Sequence, residues 1–208
     1  MRIGIFGGSF DPVHSGHLIV AECCREQASL DRVTFVPAAI PPHKQERVLA
    51  PAEQRIEMLT LATGGHDNFF VDRLEIDRGG VSYTFETVEK WRREKTSDDL
   101  LLILGLDALE DFPNWKNPER ILQCSSLLAV ERIGTDDLQR HFAGGTKLRA
   151  LLGSVRMDTV VETRVRVPMI GVRSSDLRKA VNRGESIRYQ TSRAVETFIR
   201  CNRLYRSE

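Results

Sequence analysis

Two histidines three residues apart, His14 and His17, follow closely on a glycine pair, Gly7-Gly8, and a Ser9-Phe10-Asp11-Pro12 turn. Imidazoles beside a glycine-rich loop suit chemistry on a phosphate. The loop's N–H groups hold the anion, and the rings donate to charge that builds up during transfer. Much later in the chain, Ser174, Ser175 and Arg178 bring two hydroxyls and a guanidinium within one helical turn, a second anion-binding set. Between them the loop Ile40-Pro41-Pro42-His43-Lys44 is stiffened by its prolines and presents His43 and Lys44. Asp107 follows the longest apolar run, where a carboxylate can accept hydrogen bonds from ribose hydroxyls. Trp115, set beside Pro113, Asn114 and Lys116, offers a flat face to a cationic ring.

These residues need elements to position them. Ile3 to Phe6 reads as a first strand, and Gly7 and Gly8 let the backbone approach a bulky anion because no Cβ intervenes. Asp11-Pro12 is a turn dipeptide. Ser15 is placed to cap a helix over about residues 16 to 29, with Gly16 and His17 in its first turn, where free N–H groups favour negative charge. Taken singly, a Gly-Gly pair is an ordinary turn and a surface histidine does nothing. The stretch is neither a Walker loop nor the Gly-x-Gly-x-x-Gly fingerprint.

Residues 31–37 read as a second strand ended by Pro37, so strand, helix and strand form a right-handed parallel βαβ unit. Ligands of such sheets bind beyond the carboxyl ends of the strands, which predicts that the loops after residues 6, 37 and 105 share one rim. Further along, the spacing predicts a helix over 52–62, a strand at 69–71, a helix over 85–93 with Trp91 on its apolar side, and a buried strand at 100–104. Another strand covers 126–130. Residues 135–163 say least: a helix near 137–152, then a polar connection. A last strand is expected at 165–170, then a helix capped by Ser174 and Ser175, and a closing helix over 193–200. With no repeat, linker or low-complexity segment, residues 1–208 read as a single domain.

The chain has 208 residues, 41% hydrophobic and 28% charged, which suits one sizeable core. The run Leu100 to Leu104 is too short to cross a bilayer, and Asp11 with two histidines interrupts any signal-peptide core, so the cytoplasm is the expected location and no membrane partner is expected. Cys23, Cys24, Cys124 and Cys201 lack paired metal spacing, and reduced, mostly buried thiols are expected. Net charge is +1, yet residues 164–208 hold eleven Arg and Lys against four Asp and Glu. That basic end can bind nucleic acid, hold the phosphates of a small nucleotide, or form a solvated helical face. The near-neutral total and the lack of an aromatic-rich stretch argue against nucleic acid.

The stretch Gly7 to His17 resembles the signature of the nucleotidylyltransferase superfamily, whose His-x-Gly-His is similar to that of class I aminoacyl-tRNA synthetases. Pro41-Pro42-His43-Lys44 resembles a mark of its pyridine-nucleotide branch, although Ala39 stands where Asn is frequent. Arg55 and Met58 follow that branch. Ser82-Tyr83-Thr84 resembles the nicotinate mononucleotide adenylyltransferases, in which the Thr position helps recognise the pyridine substituent and a Trp at the place of Trp115 stacks on the ring. Residues 171–178 resemble the second signature, Ile-Ser-Ser-Thr/Ser-x-Ile-Arg, with Arg173 in place of its first serine. Ile133 stands where Pro is usual. Ile187-Arg188-Tyr189 and Leu204-Tyr205 also follow the family, and the likeness is weakest between 133 and 165.

The resemblance implies an α/β fold, a Rossmann-like parallel sheet with helices on both faces and a small helical C-terminal segment. It implies transfer of the adenylyl group of ATP to nicotinate mononucleotide, giving deamido-NAD and pyrophosphate in NAD biosynthesis. His14, His17 and Arg178 are then catalytic. Gly7, Gly8, Ser9, Phe10, Lys44, Asp107, Ser174 and Ser175 bind ATP. His43, Thr84, Trp115 and Lys116 bind the pyridine nucleotide. Mg2+ is expected on the ATP phosphates, with no dedicated protein site. Partners are ATP and nicotinate mononucleotide, without nucleic acid or membrane; a homo-oligomer stays open. The alternatives are an adenylyltransferase acting on nicotinamide mononucleotide or on another phosphate acceptor such as phosphopantetheine, a metal-binding module of His14, His17 and His43, and a non-catalytic nucleotide- or nucleic-acid-binding protein. A class I synthetase is excluded by size.

Overall fold

A computed structural model describes residues 1–42, 49–134, 138, 142 and 146–206. Six strands, β1 (Arg2–Gly8), β2 (Arg32–Pro37), β3 (Phe69–Val71), β4 (Asp99–Gly105), β5 (Ser126–Arg132) and β6 (Val165–Val167), form one sheet in the order β3-β2-β1-β4-β5-β6. β1 pairs parallel with β4, β4 with β5, and β5 with β6. This is the doubly wound order, with the expected Rossmann-like α/β class. The helices around the sheet are α1 (Ser15–Gln27), α2 (Ala52–Thr63), α3 (Leu74–Arg78), α4 (Thr84–Glu94), α5 (Leu106–Asp111), α6 (Pro118–Cys124), α7 (Thr146–Glu162), α8 (Ser174–Asn182) and α9 (Arg193–Cys201). No described helix is long and apolar enough to cross a membrane.

By packing, the chain divides into two compact units. The first comprises Met1–Phe6, Glu22–Val33 and Tyr83–Met169. Its core is built on β4, where Leu100 to Leu104 are all buried, as a strand covered on both faces requires. Gly4 of β1 permits close packing there, because a Cβ at that position would lie 2.7 Å from Leu30 Cδ1. Phe85, Val88 and Trp91, three residues apart on α4, bury the helix's apolar stripe.

The second unit comprises Gly7–Ala21, Thr34–Ser82 and Ile170–Glu208. Here α2 packs on α9, joining the buried Ile56, Met58 and Leu59 to Val195 and Ile199. Ser192 caps α9 by accepting the Val195 N–H at 3.3 Å.

Four expectations change. The polar connection expected after residue 152 is helical to Glu162, broken at Gly153 (φ 68°, ψ 170°), and the buried Val160 anchors the second half. β6 stops at Val167 because Pro168 has no N–H to continue a ladder. All four cysteines are free, yet only Cys24 is buried; Cys23 and Cys124 are half-buried and Cys201 is exposed. The serine caps are corrected with the site that uses them.

Candidate active site

β1 carries its chain direction straight into the glycine pair. Gly7 is exposed with open space at its Cβ position, as an anion-approaching glycine should be. Gly8 serves a second purpose: a Cβ there would meet the Phe10 ring at 3.0 Å. Phe10 is buried, with its ring edge-on to Phe35 at 5.6 Å and to His17 at 5.1 Å. It can reach a ligand through its backbone only. Ser9 is half-buried beside it.

Arg55, buried on α2, ties the loops after β1 and β2 together. Its guanidinium donates to the carbonyls of Ser9 (2.9 Å), Ala38 (2.7 Å), Ala39 (3.3 Å) and Ala50 (3.1 Å). Ala38 N–H also donates to Gly8 O at 2.9 Å, and Ser82 Oγ accepts the Ala39 N–H at 2.8 Å. Ser82 therefore braces the loop after β2 rather than capping a helix. His43 and Lys44 lie outside the described residues.

The two histidines organise the start of α1. His14 immediately precedes the helix, and its carbonyl accepts from the N–H of His17 (2.9 Å) and of Leu18 (3.4 Å). His17 Nδ1 reaches back to accept the His14 N–H at 3.2 Å, the second half of a capping box. With Nδ1 accepting, a neutral His17 ring carries its hydrogen on Nε2. The His14 ring folds over Gly16, where a Cβ would lie 3.0 Å from its Cε1 and Nδ1. Burial lowers the His14 pKa to about 4, and among the described residues its buried Nδ1 has no hydrogen-bond partner.

The expected caps are overturned by this geometry. Ser15 opens α1 instead of preceding it, and its Oγ donates to Gln190 O at 2.7 Å. Ser174 likewise opens α8, with the extended Arg173 in the cap position, and its Oγ donates to Pro12 O at 2.9 Å. Ser175 Oγ donates to Asp176 Oδ1 at 3.4 Å. In each case a hydroxyl expected to serve its own helix end is engaged elsewhere, Ser15 and Ser174 in long-range bonds.

Those bonds bring the second signature onto the first. Arg178 Nη1 donates to the Asp11 carbonyl and lies 3.5 Å from Asp11 Oδ2. Thr191 Oγ1 donates to Val13 O at 2.9 Å, and Tyr205 OH donates to Asp11 Oδ1 at 2.7 Å. The turn from Asp11 to Ser15 is thus gripped by the carboxy-terminal segment at four of its five residues, Asp11, Pro12, Val13 and Ser15. Asp11, Arg55, Thr191 and Tyr205 are supporting residues that motif reading left without a role. A carboxylate inside a buried turn, and an arginine on the same helix face as Leu59, were the available signals.

Three of the four residues expected to hold the pyridine nucleotide, Thr84, Trp115 and Lys116, lie in the first unit, as does Asp107, expected on the ATP ribose. Asp107 is exposed in the first turn of α5, just past the carboxyl end of β4. Trp115 is half-buried in extended backbone after a 3-10 turn (Phe112–Asn114), with its ring 5.4 Å from that of Phe112. Lys116 Nζ lies 4.0 Å from the centroid of the Tyr83 ring, and Thr84 is the next residue, the first of α4. Arg120, paired with Glu89, covers the Phe85 ring at 4.7 Å. Lys116 and Arg120 thus cover the Tyr83 and Phe85 rings that flank Thr84 in sequence, and Trp115 packs separately on Phe112.

Among the described residues, no group of three His, Cys, Asp or Glu side chains is placed to hold a metal ion. The carboxylate at the phosphate loop, Asp11, is already engaged by Tyr205, Ala50 N–H (3.2 Å) and Arg178.

Residues 5–180 match the family model described as cytidylyltransferase-like, and this fold with its glycine–histidine loop defines a nucleotidyltransferase of that class. A Thermus thermophilus sequence named "Probable nicotinate-nucleotide adenylyltransferase" is 43% identical over 206 residues, covering 99% of this chain and 100% of its own length. One of the same name from Thermomicrobium roseum is 41% identical over 207 residues, covering 99% and 92%. The chain belongs to the nicotinate-nucleotide adenylyltransferase family. Among solved structures, the Plasmodium falciparum nicotinic acid mononucleotide adenylyltransferase complexed with NaAD superposes with a TM-score of 0.72 over 98% of this chain and 97% of that one. At 16% identity that likeness is one of fold.

Proposed function

We propose that this chain transfers the adenylyl group of ATP to nicotinate mononucleotide, forming deamido-NAD and releasing pyrophosphate, and that it does so as one catalytic domain. The observation that carries the reading is the meeting of the two phosphate signatures, 162 residues apart, on the Asp11–Pro12 turn. The family relationship supports the choice of substrates.

The acceptor phosphate is already ionised, so its oxygen attacks the α-phosphorus without a general base. A new P–O bond forms there, and the bond to the bridging oxygen breaks, with its electron pair leaving on pyrophosphate. Catalysis then consists of alignment and charge stabilisation. The N–H groups of Gly8, Ser9 and Phe10 and the amino end of α1 hold the phosphates, with Gly7 leaving room for their approach. His17 donates through Nε2–H, and His14, neutral by burial, lies against it. Ser174 and Ser175, through backbone N–H groups at the amino end of α8, act with Arg178 and Lys44 on the β- and γ-phosphates. Among the described residues Arg178 engages Asp11 through Nη1 alone, which leaves Nε and Nη2 hydrogens for an anion. Asp107 accepts from ribose hydroxyls. His43, Thr84, Trp115 and Lys116 hold the pyridine nucleotide. Mg2+ enters with ATP as part of the substrate.

The test is pyrophosphate release with ATP and each of nicotinate mononucleotide, nicotinamide mononucleotide and phosphopantetheine, side by side. The expected result is a kcat/KM at least about tenfold higher for the nicotinate, whose carboxylate pairs with N–H and O–H donors that a carboxamide leaves partly unmet. A higher value for either other acceptor overturns the assignment.

A further inference from the structure

Asp11 is 1% exposed, yet its carboxylate faces donors from three separate parts of the chain. Oδ1 accepts from Tyr205 OH at 2.7 Å and Ala50 N–H at 3.2 Å, while Oδ2 lies 3.5 Å from Arg178 Nη1. The shorter bond comes from the uncharged donor, the phenol. Bonds from a guanidinium to a carboxylate ordinarily run near 2.7–2.9 Å, so at 3.5 Å Arg178 is held loosely by the Asp11 carboxylate, while its Nη1 also donates to the Asp11 carbonyl.

Tyr205 reaches Asp11 at a cost in backbone geometry. Arg203 and Tyr205 both sit in left-handed conformation (φ 52° and 63°), rare for residues of this size. Leu204 between them is buried, with its N–H on Ile199 O at 3.0 Å. Strain of this kind persists where the surroundings over-determine it. Burial and the adjoining carboxylate push the Tyr205 phenol above its ordinary range, so it remains a donor.

We propose that Tyr205 is a positioning residue for the triphosphate: its hydroxyl takes up Asp11 Oδ1 and thereby keeps Arg178 in place but loosely paired, available to MgATP. Without the hydroxyl, the carboxylate turns its charge on Arg178 and competes with the phosphates for the guanidinium. The inference rests on the adenylyl-transfer reading for what Arg178 binds.

Tyr205→Phe removes the hydroxyl and keeps the ring. The expected result is a KM for ATP raised roughly three- to tenfold, weaker pyrophosphate inhibition to match, and a nicotinate mononucleotide KM within about twofold of the parent. In an Arg178→Ala background the same change should have no further effect on ATP, because the two residues act in series. Tyr205→His, which retains a ring N–H donor, should keep the ATP KM within about threefold, and serves as the probe should the phenylalanine variant not fold. An unchanged ATP constant in Tyr205→Phe, equal rises for both substrates in either variant, or an additive effect in the Arg178→Ala background overturns the proposal. Calorimetric titration of a nonhydrolysable MgATP analogue, without acceptor, repeats the comparison independently of turnover. Parent protein that binds the analogue but releases no pyrophosphate with nicotinate mononucleotide would sink the functional reading and leave this one to the binding data.

Discussion

The imidazoles of His14 and His17 are stacked, with ring centroids 3.8 Å and ring planes 26° apart. Such a pair is stable only while at most one ring is charged, and His14 is 7% exposed with a pKa lowered by burial to about 4. The unfolded chain takes up a proton near pH 6.5 that the folded chain refuses until about pH 4. Stability from this source is therefore complete above pH 6.5 and is lost as pH falls toward 4. Between pH 7.5 and 5 the parent should lose about 2 kcal/mol more than His14→Asn in urea unfolding. Equal losses would mean that His14 accepts its proton in the folded state.

His17→Ala removes both the Nε2–H donor and the Nδ1 acceptor of the His14 N–H. Turnover should fall by roughly 10²–10³, the usual loss for one transition-state donor. Stability should fall by only about 1 kcal/mol, for the broken cap. Turnover within threefold of the parent rules out a catalytic role.

Gly16→Ala tests the packing beneath the pair. Its Cβ would sit 3.0 Å from two atoms of the His14 ring and 3.4 Å from Ile170 Cγ2, so the ring must move by a few tenths of an ångström. A displacement of that order at a reacting centre costs activity out of proportion to stability. The expected outcome is at least about a tenfold loss of kcat with roughly 1 kcal/mol or less of destabilisation. Full activity would show that the ring position is not critical.

Local chemistry explains what was readable in the sequence. Phe85, Val88 and Trp91 declare a helix because burial repeats with its period, whereas Ile3 to Phe6 and Leu100 to Leu104 declare covered strands as short continuous apolar runs. Gly7, Gly8, Gly16 and the two histidines form one local loop, so their association needed no tertiary knowledge. The grip on that loop was invisible because it joins residues far apart: Ser174 to Pro12, Thr191 to Val13, Tyr205 to Asp11. A serine near a helix start looks like a cap whatever else its hydroxyl touches, and Ser15 and Ser174 carry that look while bonding to Gln190 and Pro12. The Lys116 to Tyr83 contact spans 33 positions in the sequence and carries no local signal either.

Trp115→Ala should raise the KM for the pyridine nucleotide about tenfold, the loss of roughly 1–2 kcal/mol of stacking. The ring is half-buried and tilted 58° against Phe112. The KM for ATP should stay within about twofold. A parallel rise for ATP would make Trp115 a support for its loop instead of a substrate contact.

Arg173 departs from the family signature at a position the structure makes interpretable. It is exposed and precedes α8 in extended backbone (φ −129°, ψ 138°), the geometry of an N-cap, yet it provides no side-chain cap. A serine there can accept an N–H of the first turn, which arginine cannot, and a cation at a helix amino end opposes the dipole. Arg173→Ser should therefore stabilise the protein by about 1 kcal/mol, raising the melting temperature roughly 2–4 °C. Because the guanidinium is solvated, the KM for ATP and inhibition by pyrophosphate should stay within about twofold. A higher ATP KM together with weaker pyrophosphate inhibition, and no gain in melting temperature, would instead place Arg173 beside Arg178 on the triphosphate.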